Sequence, residues 1–456
     1  MEASKEIVTS QMKLLSITWQ IFIELFLQVI MGSSDTVMLA HISDDAVAAV
    51  GVANQLVFLN ILIFNFVSTG TAVTVSQFLG AKLNAEAKNV AALSITLNLV
   101  IGLLLSLTML IFRSQFLGFF HLTNHIAGMG KEYLSIVGGT LFIQAVLLTV
   151  SSILRANGFT RDAMLCSLFM NVVHLIGNSI FIFGLFGVPV MGIRGVGIST
   201  FISRSLALSL IFWIMYKRLP IKIKLKDYVD LNPAYIKKIL QIGIPAASEQ
   251  ICYNLSQMAI TAIIAMLGAA ALTTRIYTAN INSYVLLFGL AMGQGTQILV
   301  GYKVGAGDFN DAYRQLLKSL KYSLIITIFV AIVISILRHG LIGIFTNDKE
   351  IVNMGSKLLL FSLILEPGRT FNLVVISSLR ATGDATISVK MALLSMWGIS
   401  VPLAYFLGIH LGMGLTGVYV AFTVDEWFRG ITMYFRWRSR VWEKKVLVHK
   451  QTATTV

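Results

Sequence analysis

The chain has 456 residues, 56% hydrophobic and 12% charged, with a net charge of +14 and a mean hydropathy of +0.80. A soluble domain carries roughly 25% charged residues, so this composition excludes one. The absence of ten-residue alternating segments argues against a transmembrane β-barrel. What remains is an all-α polytopic membrane protein, with long apolar runs separated by short polar joints.

In chain order the opening MEASKEIVTSQMK has mixed charge and no short apolar core before a cleavage site, so no removable leader is expected. Twelve spans follow, roughly at 13–38, 47–72, 90–112, 132–154, 163–187, 192–215, 238–263, 272–299, 319–338, 356–378, 387–408 and 411–432. Each crosses about 30 Å of hydrocarbon at ~1.5 Å per residue. Cys166 and Cys252 both lie in apolar runs and read as buried thiols rather than a disulfide.

Basic residues flank alternate joints. Lys82 and Lys88 lie in one, Arg155 and Arg161 in another, and Lys217, Arg218, Lys222, Lys224, Lys226, Lys237 and Lys238 crowd the central loop. Arg436, Arg438, Arg440, Lys444 and Lys445 follow the last span. Positive charge on one side predicts a plasma (inner) membrane protein with both termini and the central loop cytoplasmic. The partner of that charge is the anionic headgroup layer of the bilayer, not nucleic acid.

The sequence matches itself at a shift of 225 residues, the separation of Glu24 from Glu249. Gly70-Thr71 meets Gly295-Thr296, Gly80-Ala81 meets Gly305-Ala306, and SILRANG (152–158) meets SSLRATG (377–383). Two six-span bundles are therefore expected, at 1–215 and 238–432. A basic linker at 216–237 joins them, and a basic tail runs over 433–456. An even number of spans per half gives both halves the same orientation, related by a pseudo-twofold along the membrane normal. Asp35 meets Ile260 under this shift, so that acid belongs to the first half alone.

Acids inside spans are costly and mark function. Glu24, Gln28 and Asp35 fall within about 40° of one another on a helix. They form a polar stripe, with Gly32, Ser33 and Ser34 as points where the helix could bend. Asn171, His174 and Asn178 share a face of the fifth span, and amides with an imidazole can coordinate a cation or share a proton with a carboxylate. The same groups could equally make interhelical hydrogen bonds. Pro245 predicts a kink four residues before Glu249. Glu366 and Arg369 lie three apart and can neutralise each other; Arg275 could neutralise Glu249. Asp425 and Glu426 near Arg429 read as structural. His121 and His125 have i, i+4 spacing but no acidic third ligand beside them. No P-loop, HExxH or Gly-x-Ser-x-Gly motif appears in usable context. No catalytic residues and no cofactor are therefore expected, and no nucleophile or metal constellation supports an intramembrane enzyme.

Five stretches resemble the multidrug and toxic compound extrusion (MATE) family: SSDTVMLAHISDDAVAAVG (33–51), GTAVTVSQFLGAK (70–82), IGIPAASE (242–249), GTQILVGYKVGA (295–306) and LRATGDA (379–385). The resemblance implies twelve spans in a 6+6 duplication and an exporter driven by Na+ or H+ that moves cationic amphipathic compounds. Asp35 matches the family's first-span acid and Asn178 its fifth-span asparagine, which makes them the pair to hold a coupling Na+. Asn171, His174 and Glu24 complete the cation-coupling set. Gln28, Glu249, Tyr253, Glu366 and Arg275 are assigned to the substrate. A further acid that members often carry one turn after the asparagine is Ile182 here, and Gln20 stands where a first-span proline is expected. Small organic cations are the implied partners, and the chain is read as a monomer. A flippase of lipid-linked saccharides is the rival, though its strongly cationic cavity is not evident from Arg275 and Arg369 alone.

Overall fold

The computed structural model describes residues 13–219 and 222–448. The expectation of an uncleaved N-terminus and the end of the basic tail lie outside those residues, as do positions 220–221 of the linker. Among the described residues every regular element is helical. The first half comprises α1 Leu14–Ala40, α2 Asp44–Gly80, α3 Asn84–Gly118, α4 Asn124–Ile136, α5 Leu141–Ala156, α6 Thr160–Phe183 and α7 Gly192–Arg218. A short α8, Leu225–Val229, leads into the second half. That half comprises α9 Pro233–Ala265, α10 Ala269–Gly305, α11 Phe309–Gly343, α12 Lys349–Thr382, α13 Ala385–His410 and α14 Gly414–Arg438.

Local chemistry explains the boundaries. Asp44 and Asp45 open α2, where carboxylates suit the positive end of the helix dipole. Thr123 caps α4 by accepting from Ile126 N–H, and Asp348 caps α12 by accepting from Glu350 and Ile351 N–H. Gly184 and Gly383 end α6 and α12 at φ 68° and 101°.

Nine helices are long and apolar enough to cross a membrane, and α4 with α5 make a tenth crossing bent by 51°. Two more polar long helices, α9 and α14, bring the long segments to the expected twelve among the described residues. Several run past the expected limits. At 37 residues, α2 and α10 are about 55 Å long and outreach a hydrocarbon core of about 30 Å. The boundaries repeat at the 225-residue shift: α2 maps onto α10, α3 onto α11, and the start of α6 onto that of α13. The fourth span departs from the pattern. Gly138-Gly139 interrupts α4–α5, whereas the equivalent Leu363-Ile364 lets α12 run unbroken, even through Pro367. The expected weakness at Gly32–Ser34 does not interrupt α1, and α9 is continuous through Pro245. In α13, π turns at Met396–Ser400 and Phe406–His410 flank Pro402 and absorb the hydrogen bond that proline cannot make.

The chain divides into two compact units. The first contains Ile23–Leu79 and Leu83–Gly243. Its core runs through Leu39, Ala49, Phe64, Leu134, Leu141, Ile182 and Val196. Asn98 ties three helices there, donating to Phe64 O, Ala145 O and Thr149 Oγ1. The second contains residues 13–22 of α1, Gly80–Lys82 and Ile244 onward. One core cluster there gathers Ile260, Leu358, Leu365, Val418 and Phe422. Cys166 and Cys252 are free, buried thiols.

Candidate functional site

In the first unit α1 and α6 bring a carboxylate, an imidazole and an amide together. Asp35 is buried. Its Oδ1 lies 2.7 Å from His174 Nε2 and accepts from Asn178 Nδ2 at 2.6 Å. Asn178 Nδ2 is also 3.1 Å from His174 Nε2, which is natural for side chains one helical turn apart. Behind the imidazole, Ser199 of α7 donates to the His174 carbonyl at 2.8 Å, with its Oγ 3.5 Å from His174 Nδ1. That approach depends on Gly177: a Cβ there would meet Ser199 Oγ at 2.5 Å. Small residues at a helix crossing let backbones close in this way. Ile182, one turn beyond Asn178, is buried in the apolar core. Asn178 Oδ1 is buried with no hydrogen-bond partner.

Asn171 does not join this cluster. It donates to Ser167 O on its own helix at 2.8 Å. The α1 stripe divides as well. Glu24 is buried and accepts from Arg155 Nη1 of α5 at 2.8 Å, while Gln28 is exposed. Two further charged or polar groups escaped notice in the sequence. Arg204 of α7 is buried within electrostatic reach of Asp35 and Tyr133. Tyr133 donates to Asn54 Oδ1 at 3.1 Å, and Asn54 lines a cleft of about 480 Å³ with Gln55, Phe58, Leu59 and Phe120.

In the second unit Glu249 pairs with Arg380 at 2.7 Å. The anticipated partner, Arg275, instead donates to Gln257 Oε1 at 3.1 Å and lies over the Phe422 ring. Glu366 is held by Arg369 at 2.9 Å, as the i, i+3 spacing anticipates. Arg369 also approaches Glu426, which accepts from Asn372, and Arg429 binds both Asp425 and Glu426. Ser395 completes the chain by donating to Asp425. Each acid assigned to a cationic guest thus already holds an arginine, although Glu366 Oε2 has no hydrogen-bond partner. Tyr253 packs beside Cys252, Ala392 and Met396. His125 comes only within 3.9 Å of Asp45, and among the described residues no group of three or more His, Cys, Asp or Glu is placed to hold a metal ion.

Outside the spans, α8 is pinned to α3. Asp227 pairs with Lys88 at 2.9 Å and accepts from Lys224 N–H at 2.7 Å. Thr96 donates to Tyr228 O at 2.6 Å. The Lys224 amide and then Lys88 hold the Asp227 carboxyl below its ordinary range.

A duplicated helical membrane protein with a carboxylate buried among its spans has the architecture of a multi-pass transporter. The MatE family model matches residues 21–180 and 245–406, and the chain belongs to that family of transporters. It is similar to YisQ of Bacillus subtilis, described as an uncharacterized transporter, at 46% identity over 97% of each chain. It is 26% identical to the probable multidrug resistance protein NorM of Thermotoga maritima, covering 93% of this chain and 91% of that one. Among solved structures, a MATE transporter in a bent conformation superposes with a TM-score of 0.88 at 19% identity over 95% and 97% of the two chains. The Vibrio cholerae MATE transporter VcmN gives 0.87 at 20% identity over 96% and 99%. These two establish the shared fold.

Proposed function

We propose that the protein is a secondary antiporter of the plasma membrane that exports cationic amphipathic compounds in exchange for Na+ or H+, with Asp35 as the coupling acid. The observation that carries this reading is the buried Asp35 carboxylate bound to His174 and Asn178. Hydrogen bonds donated to a buried carboxylate favour its charged form. Taking up a cation or proton cancels that charge, loosens the bonds from α6, and so shifts the balance between conformations of the first unit. The likeness to proteins described as probable multidrug resistance proteins supports a drug-like cargo.

The cargo's positive charge is matched by the field of the acidic side chains in the second unit. The acids proposed to meet it are Glu366, Asp425 and Glu426, which are themselves tied to Arg369 and Arg429. Tyr253 and Arg275 of the same unit supply aromatic and polar contacts. Monomeric action and cytoplasmic termini complete the proposal.

The test is efflux of an ethidium-type cation from proteoliposomes under an imposed pH gradient and, separately, an imposed sodium gradient. Wild-type protein drives efflux under one of them and D35N under neither. Full gradient-driven efflux by D35N would refute the coupling role. Tighter binding of a lipid pyrophosphate than of a lipophilic cation would favour a flippase instead.

A further inference from the structure

Helix α8 turns two unlike faces to its surroundings. On one, Asp227 pairs with Lys88, and the hydroxyls of Tyr228 and Tyr216 of α7 lie 3.0 Å apart. The other carries Leu225 and Val229, one turn apart and within about 40° of each other on the helix. They are 86% and 78% exposed, and Leu231 just beyond is 55% exposed. Lys224 and Lys226 flank Leu225 in the chain and are exposed too. The level of this ridge is set by α7. Near the end of that helix Trp213 is exposed, with Lys217 Nζ 4.8 Å from its ring centre. Exposed Trp and Tyr with a neighbouring lysine mark the headgroup level of a span. The Tyr216–Tyr228 contact, and Lys222 donating to the Tyr216 carbonyl, hold α8 at that level.

From this geometry we infer that α8 is a membrane foot. Leu225, Val229 and Leu231 enter the boundary between headgroups and acyl chains, and Lys224 and Lys226 bind anionic phospholipid beside them. An apolar ridge bordered by lysines is the make-up of a segment that lies in the interface. The positive charge fits a leaflet rich in anionic lipid. A five-residue helix does not hold itself together by hydrogen bonding along its own backbone. Its order comes from what it touches, which is α3 and α7 on one side and lipid on the other. Through the Asp227–Lys88 pair and the Thr96–Tyr228 bond the foot is joined to α3, so anionic lipid steadies the linker against the first unit. This assignment is independent of antiport and takes from the proposed function only the cytoplasmic side of the linker.

The experiment places a nitroxide label at L225C or V229C of the full chain, with Cys166 and Cys252 replaced by alanine. The protein is reconstituted in nanodiscs of phosphatidylcholine alone or mixed with phosphatidylglycerol. In the mixed nanodiscs both labels collide several-fold more often with oxygen, which concentrates among acyl chains, than with a water-soluble nickel chelate. Without phosphatidylglycerol that ratio falls. Collisions dominated by nickel in the mixed nanodiscs would overturn the proposal and leave the ridge to a soluble protein partner. A ratio indifferent to phosphatidylglycerol would also overturn it. A second comparison needs no label. L225S/V229S, melting as wild type in detergent, is cut by trypsin after Lys222, Lys224 and Lys226 several-fold faster than wild type in the mixed nanodiscs. Equal cutting of the two proteins overturns the proposal. The side of the linker is checked separately: a membrane-impermeant thiol reagent added to intact cells leaves L225C unmodified. Modification there would refute the cytoplasmic placement, while the collision ratio still reports insertion on whichever side the foot lies.

Discussion

Arg155 donates to Glu24 at 2.8 Å, and the same bond recurs 225 residues later, where Arg380 donates to Glu249 at 2.7 Å. Each pair spans 131 residues of chain and joins the first helix of a half to the end of its fourth span. Two independent copies of one buried ion pair indicate a structural lock common to both units. Removing one partner of a buried pair costs about 3–5 kcal/mol, whereas replacing both with apolar groups of similar volume is often close to neutral. We expect R155M to lower the melting midpoint strongly and E24M/R155M to recover most of the loss. Fluorescence-detected size-exclusion chromatography after heating checks this, and R380M with E249M/R380M should follow the same pattern.

The contact between α6 and α7 at Gly177 sets the position of His174. In G177A the new methyl group collides with Ser199 Oγ, and overpacking of this kind costs about 1–3 kcal/mol. We expect reduced gradient-driven efflux with cation binding by the second unit retained. Equal loss of efflux and of binding would show that the collision unfolds the protein rather than displacing the imidazole.

Asp227 fixes the pH range over which the linker stays docked. Its carboxyl titrates lower in the folded protein than in the unfolded chain. Its contribution is therefore fully present above the ordinary carboxylate value of about 3.9, and is lost as pH falls through the depressed folded value. Hydrogen exchange over residues 222–229 should be insensitive to pH between about 5 and 8 once corrected for intrinsic rates. At neutral pH D227N should open this segment, read as faster tryptic cleavage after Lys222, Lys224 and Lys226.

Gly383 ends α12 at φ 101°, with the Lys445 carbonyl where a Cβ would be placed. The chain beyond α14 returns there, with Trp442 buried against Trp437 and Val446–Val448 buried behind it. G383A combines an unfavourable backbone conformation, worth about 1–3 kcal/mol, with a collision. The expected result is release of this returning segment, seen as tryptic cleavage at Lys444 and Lys445 before the spans are attacked.

Much of this was legible from residue order. Hydropathy located the long helices, and the internal repeat anticipated their matching boundaries. The i, i+4 spacing of His174 and Asn178 placed both on the face that meets Asp35. Asn171 shared that spacing but found a closer acceptor in the carbonyl of Ser167, and helix periodicity cannot foresee this competition. The partner of Glu249 was also present in the sequence: SILRANG and SSLRATG place Arg155 and Arg380 at the shift that relates Glu24 to Glu249. Arg275 is nearer in the chain and drew the assignment, but it is met by Gln257 and Phe422. Arg204 left no trace in the sequence pattern. A lone arginine in an apolar run resembles an interfacial anchor until the fold sets Asp35 near it.

The second half carries Ile260, Ile399 and Leu403 where the first carries Asp35, His174 and Asn178. Ile260 and Leu403 contribute to one apolar cluster there. The molecule therefore contains its own blank copy of the site, built on the same scaffold without the polar side chains. Under the proposed reading of Asp35, this asymmetry leaves one coupling station per chain.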